Sequence, residues 1–227
     1  MTTPRPTRIV PLGDRAALAY FDTEPAASAY ARSLRKDRPA WLVDVVPAYL
    51  SVGLHFDFAT IRLSAVLDWL ERYEPAPADA AVSLVRHRIP VCYEMNYDLK
   101  SIAARLQLSE ADVMQHHLDA VYTVYAIGFV PGFPYLGYLP AELSGLPRLA
   151  EPRLRVPAGS VGLTGRQTGI YPLERPGGWN ILGRTPLELV NLEDEYFPLQ
   201  VGDEVRFTRI DEAEYAQLAG ERLTPSR

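Results

Sequence analysis

Arg155, Ser160, Arg166, Gln167, Thr168, Tyr171, Arg184 and Thr185 fall within one short stretch of the chain. An arginine presents a planar fork of donors that fits a carboxylate or a phosphate. Gln167 and Thr168 offer the donors and acceptors that match an amide or carboxylate edge. Taken singly, each of these residues reads as turn chemistry or surface pairing. Taken together they read as a binding site, with Arg155 and Arg184 as the anion contacts. His117 carries a ring that titrates near neutral pH. At the end of a helical segment it reads equally as a proton carrier or as a structural group stabilised by the helix dipole when protonated. Ser160, in PAGSVG, has the wrong glycine spacing and flanks for a nucleophile elbow.

Other chemistries are poorly served. His116 and His117 are adjacent, so on a helix they point about 100° apart and cannot share one ion. Cys92 is the sole cysteine, which removes an intrachain disulfide and a thiolate zinc site. No metal is expected. Gly159, Gly162 and Gly165 are spaced G-x-x-G-x-x-G in β-prone sequence, which is not a dinucleotide fingerprint. Lys36 and Lys100 are the only lysines and neither lies in a glycine loop, so a Walker-type cradle is excluded. Any ATP would be held in a less familiar way.

The positioning elements follow from the distribution of glycine and proline. Eleven of the fifteen glycines lie between Gly128 and Gly183, and nine prolines between Pro131 and Pro186. Such composition encodes tight turns between short strands. SVGLTG, TGIYPL, WNILGR, PLELVN and EVRFTRI recur as β candidates, which predicts an all-β barrel or sandwich. The aromatics Phe129, Phe133 and Tyr135, with Pro134, sit in a loop that prolines keep irregular. They read either as an exposed partner-binding patch or as a plug for the barrel end. Two short helices, opened by Asp98 and Ser109, precede the β-prone VYTVYAI.

The first part of the chain alternates differently. Strand Ala16–Phe21 leads to a helix Glu24–Arg38 capped by Thr23. Trp41–Val46 and Tyr49–His55 are two strands divided by Pro47. Thr60 is expected to cap a helix Ile61–Tyr73, and a strand follows over Ser83–Tyr93. This order fits a ferredoxin-like split βαβ unit, although the last strand reads equally as the start of the next domain. EPAPADAA (residues 74–81) is the best linker. The expected architecture is therefore α+β, with an N-terminal ferredoxin-like domain over residues 1–82 and a β-barrel domain over 83–227.

Composition narrows the setting. The net charge of −5 lacks the basic footprint of a nucleic-acid surface. No apolar run reaches the ~18–20 residues of a membrane span, and the first residues lack the apolar core of a signal peptide. A cytoplasmic protein with no membrane or nucleic-acid partner is expected.

Four co-linear segments carry a resemblance to a known family. GFVPGFPYL (residues 128–136), RVPAGSVG (155–162), QTGIYP (167–172) and PGGW followed by GRTP (176–179 and 183–186) resemble the motifs of the 5-oxoprolinase B-subunit family. This family is also known as PxpB or KipI-like, as allophanate hydrolase subunit 1, or as carboxyltransferase domain, subdomains C and D. The resemblance implies that the barrel is cyclophilin-like. It implies one component of an ATP-dependent 5-oxoprolinase, which opens 5-oxo-L-proline to L-glutamate together with partner A and C subunits, the latter KipA-like. ATP would be shared with those partners, and the chain would be inactive alone. Within that reading Arg155, Ser160, Gln167, Thr168, Tyr171 and Arg184 would bind substrate or nucleotide, and His117 would carry a proton. Arg155, Gln167 and Arg184 are expected at one common mouth. The family also includes an inhibitor of a sensor histidine kinase, for which Phe129, Phe133, Pro134 and Tyr135 would form the contact, and relatives fused within urea carboxylase. The sequence departs from the family at CYEMNYDL (92–99), which lacks a glycine pair, and at Arg175, where serine is usual.

Overall fold

The computed structural model describes residues 3–76 and 85–225, so most of the expected linker lies outside the described residues. The chain divides into two compact units, Met1–Ser83 and Leu84–Arg227.

The first unit runs β1 (Arg8–Leu12), β2 (Ala16–Tyr20), α1 (Glu24–Asp37), β3 (Leu42–Ala48), β4 (Ser51–Phe56) and α2 (Leu63–Arg72). Its antiparallel sheet has the order β1-β2-β4-β3. The expected closing strand is not part of it. Instead the N-terminal β1, unnoticed because RIVPL is short and contains a proline, pairs with β2 from Arg8↔Tyr20 to Leu12↔Ala16. The unit is therefore β-β-α-β-β-α rather than the expected split βαβ. Pro47 does not divide two strands; it lies inside β3, opposite Val52. That placement is allowed because β3 is an edge strand with one unladdered side. The turn falls at Tyr49, whose φ is 52°.

Helix α1 follows its sequence signals. Thr23 accepts from the Ala26 N–H at the N-cap, and Ala27, Tyr30, Ala31 and Leu34 form the buried i, i+3, i+4, i+7 stripe. They meet Ala17, Ala19, Val52 and Leu54 of the sheet in one core. Thr60 caps nothing; its hydroxyl donates to the Asp57 carbonyl, and α2 starts later, after Arg62.

The second unit contains β5 (Arg86–Cys92), α3 (Leu99–Leu106), α4 (Glu110–Asp119), β6 (Tyr122–Ile127) and β7 (Pro134–Gly137). After a 3-10 turn at Ala141–Leu143 come β8 (Arg153–Val156), β9 (Ser160–Thr164), β10 (Gln167–Ile170), β11 (Arg175–Gly177), β12 (Asn180–Arg184), β13 (Glu204–Ile210) and α5 (Glu212–Leu218). Seven strands close into a barrel in the order β10-β7-β6-β13-β5-β12-β9. The closing pair is parallel: β13 lies along β5 from Glu204↔Arg86 to Ile210↔Cys92. The strand expected over PLELVN is absent, replaced by isolated bridges at Glu188 and Asn191. β8 and β11 form a separate two-stranded ribbon.

Glycine is required where the expected motifs crowd backbone on backbone. At Gly159 φ is +81°, and a Cβ would stand 2.2 Å from the Thr185 carbonyl oxygen. The Thr185 N–H donates to the Gly159 carbonyl at 2.9 Å. The PAGS turn and the GRTP turn are thus one welded junction, which explains why both motifs carry small or φ-fixing residues.

Candidate functional site

Helix α4 places His117 inside the barrel, where it has no exposed surface. Its Nδ1 lies 2.8 Å from the Tyr93 hydroxyl and its Nε2 3.1 Å from Thr168 Oγ1. The Thr168 hydroxyl has one proton, and it donates that proton to the Gly162 carbonyl at 3.0 Å. Thr168 must therefore accept from His117 Nε2–H, which leaves Nδ1 to accept from Tyr93. The polarity runs in one direction, from Tyr93 through His117 and Thr168 to Gly162. Burial lowers the His117 pKa to about 3, and burial raises the Tyr93 phenol well above its usual value. The imidazole is neutral and stacks on Phe207, with ring centroids 4.4 Å apart. This corrects the expectation of a proton carrier: a sealed, neutral ring with both nitrogens engaged organises the barrel interior. Thr168 is likewise fully buried.

At one part of the barrel surface the aromatic loop condenses into a cluster. Phe133, Tyr171 and Trp179 are buried and pack edge to face, Phe133 standing 5.2 Å from Tyr171 and 5.4 Å from Trp179. Tyr135 is half-buried and lies 5.8 Å from Trp179. Gly169 makes this possible, since a Cβ there would stand 2.9 Å from both the Pro134 carbonyl and the Trp179 ring. Of the four expected partner contacts, Phe133 and Pro134 are buried. Phe129 remains outside at 59% exposure, on a backbone with φ of 69°. Phe133 is thus packed into the cluster with Tyr171 and Trp179, whereas Phe129 stays exposed.

The backbone register separates the three residues expected at one mouth. Gln167 pairs with Thr164 at the β9–β10 turn, whereas Ile170 pairs with Val161 at the far end of the same ladder. Arg184 pairs with Ser160 at that far end, offset from Gln167 by about 13 Å along the strand direction at ~3.3 Å per residue and lying on the other side of β9. The Arg184 Nε donates to the Ala158 carbonyl at 2.8 Å. Arg155 belongs to the separate ribbon, with its side chain 82% exposed and 3.8 Å from Glu174. Ser160 is buried and its carbonyl accepts from the Tyr171 N–H. The register thus puts Gln167 and Arg184 on one face of the ladder but at opposite ends of it.

Groups that the sequence reading passed over are better placed. Asp98 Oδ1 accepts from Arg153 at 2.6 Å, and Oδ2 accepts from the Ile181 N–H at 2.7 Å. Asn180 donates to the carbonyls of Pro147 and Leu163 and accepts from Arg105. Arg148 is exposed yet acts electrostatically on both Tyr135 and Tyr171. The available signal was the rise in arginine density between Arg148 and Arg184. Among the described residues no group of three or more His, Cys, Asp or Glu is placed to hold a metal, and no helix is long and apolar enough to cross a membrane.

Comparison with known proteins accords with this architecture. The family described as "Carboxyltransferase domain, subdomain C and D" matches residues 7–199. The 5-oxoprolinase B subunit of Bacillus subtilis (strain 168) is 35% identical over 231 residues, covering 92% of this chain and 95% of that protein. The protein of the same name from Haemophilus influenzae is 39% identical, covering 88% of this chain and 96% of its own length. The crystal structure of TTHA0988 superimposes with a TM-score of 0.76 at 37% identity over 87% of this chain, which spans 40% of that longer one. A family match running through both units, joined to relatives of nearly the same length, places the chain in the carboxyltransferase-domain family, subdomains C and D.

Proposed function

We propose that the chain is the B subunit of a 5-oxoprolinase, a hydrolase complex that converts 5-oxo-L-proline to L-glutamate using ATP. The observation that carries this reading is the near full-length kinship with proteins named as 5-oxoprolinase B subunits. The barrel, read as cyclophilin-like, supplies binding surface, and the partners are homologues of the A and C subunits. A cytoplasmic setting belongs to the same reading.

Lactam opening needs activation because the amide is resonance-stabilised, and phosphorylation of its oxygen supplies a leaving group. Two glycines of the G-x-x-G-x-x-G run are closed by neighbouring chain and offer no cradle to a triphosphate. The Cβ direction of Gly159 is filled by the Thr185 carbonyl, and that of Gly162 by Ile181, Trp179 and the Asn180 carbonyl. In this reading ATP is shared with the partner subunits, and the chain is inactive alone.

Reconstitution with the A and C subunits tests this reading. ATP-dependent glutamate release should appear only when all three are present. Unchanged release on omitting this chain would remove it.

A further inference from the structure

The chain carries a net charge of −5, yet residues 148–184 hold six arginines against Glu151 and Glu174 alone. One of these arginines, Arg148, is set by a strap. Leu149 N–H donates to the Gly178 carbonyl at 2.7 Å, and the Asn180 amide donates to the Pro147 carbonyl at 3.1 Å. The strap thereby fixes Arg148, β8 sets Arg153 opposite Gly177, which lies against the Tyr171 hydroxyl, and both cations oppose the effect of burial on that phenol.

Arg153 is half satisfied. One terminal nitrogen donates to Asp98, whereas the other, Nη1, is buried without an acceptor. Buried donors are almost always paired, so an orphan on a cation marks a place for an acceptor. Tyr97 lies against this guanidinium, 5.4 Å from its ring centroid. Arg148 has no carboxylate partner among the described residues. Tyr135, half-buried against Trp179, adds flat aromatic surface within electrostatic reach of Arg148.

We propose that Arg148 and Arg153, beside the half-buried Tyr135, bind the carboxylate of a small planar monoanion; the identity of that monoanion as 5-oxoproline rests on the 5-oxoprolinase reading. Charge decides for a carboxylate over a phosphate. Asp98 already neutralises Arg153, so the cluster offers one net positive charge from Arg148, which matches a single carboxylate. The planar lactam ring suits the aromatic wall.

The test uses the reconstituted complex and the full chain. Arg148→Ala removes an exposed, unpaired cation, so folding is preserved. Arg153→Lys keeps a charge for Asp98 but deletes the fork. Each should raise KM for 5-oxoproline about tenfold with kcat little changed, the size of one lost charge-assisted hydrogen bond. In titrations of the chain alone, 5-oxoproline and acetate should compete, whereas inorganic phosphate should not. KM within twofold of the parent in both variants would overturn the site while leaving the 5-oxoprolinase reading intact. Saturable phosphate binding of equal strength would also overturn it, as a generic anion site. Omission of the chain without loss of activity would instead remove the 5-oxoprolinase reading, and the acetate titrations would still decide whether the arginines bind carboxylate.

Discussion

His117 shows how one residue type supports two opposite readings until its surroundings are known. Taken from the sequence, it is only a ring that titrates near neutral pH at the end of a helix. The structure buries that ring, binds both nitrogens and lowers its pKa to about 3. In the unfolded chain the same ring takes up a proton near pH ~6.5. The unfolded state therefore binds more protons below that pH, and this group's contribution to stability is complete above ~6.5 and declines as pH falls toward 3. The slope from this one site reaches ~1.4 kcal/mol per pH unit. His117→Gln should destabilise the barrel unit at pH 7 by about 1–3 kcal/mol, because Tyr93 and Thr168 lose matched partners. Its disadvantage should then shrink as pH is lowered from 6.5 to 4, read as urea unfolding of parent and variant side by side. A gap that stays constant with pH would mean that the buried ring is already protonated.

Elements were legible where local rules decide. Thr23 opens α1 as read, and Ser109 with Asp112 forms a reciprocal capping box at α4. They failed where a distant partner displaces the local one. Asp98 occupies the N-cap position of α3, but its side chain makes no cap bond; its carboxylate is drawn off to Arg153 and Ile181. Asn96 substitutes, accepting from the Leu99 N–H at 3.1 Å. The same logic accounts for the scattered site residues. Composition identified a β-rich, turn-dense stretch, but two-residue periodicity and the β9–β10 register decide which end of a strand each polar group occupies. Nothing local in QTGIYP encodes that register. An ordering of variants follows at this scale. Asp98→Ala strands a partly buried arginine and a strand N–H, and should cost about 3 kcal/mol. Asn96→Ala removes only a cap and should cost about 1 kcal/mol. Thermal unfolding giving the reverse order would show that the helix cap, and not the clamp between α3, β8 and β12, holds this region.

At the scale of the whole chain, each unit owns its core: α1 and α2 on the four-stranded sheet in the first, and the barrel interior in the second. The barrel is closed by the pairing most distant in sequence, because β13 fits between β5 and β6. Val205 and Phe207 on β13 are buried, each contributing roughly 1.5–3 kcal/mol of apolar burial, and Phe207 also stacks on His117. Removing β13 would free the ladder groups of β5, open the ring and expose the His117 chain to water. A chain ending at Asp203 should therefore lose the barrel unit's cooperative transition entirely, while the first unit, which contributes no strand to the ring, keeps its own. Calorimetry of the truncated chain should show a single transition that also appears when residues 1–76 are expressed alone. Survival of a cooperative barrel transition without residues 204–227 would mean that the ring closes through another pairing, and the placement of His117 against β13 would fall with it.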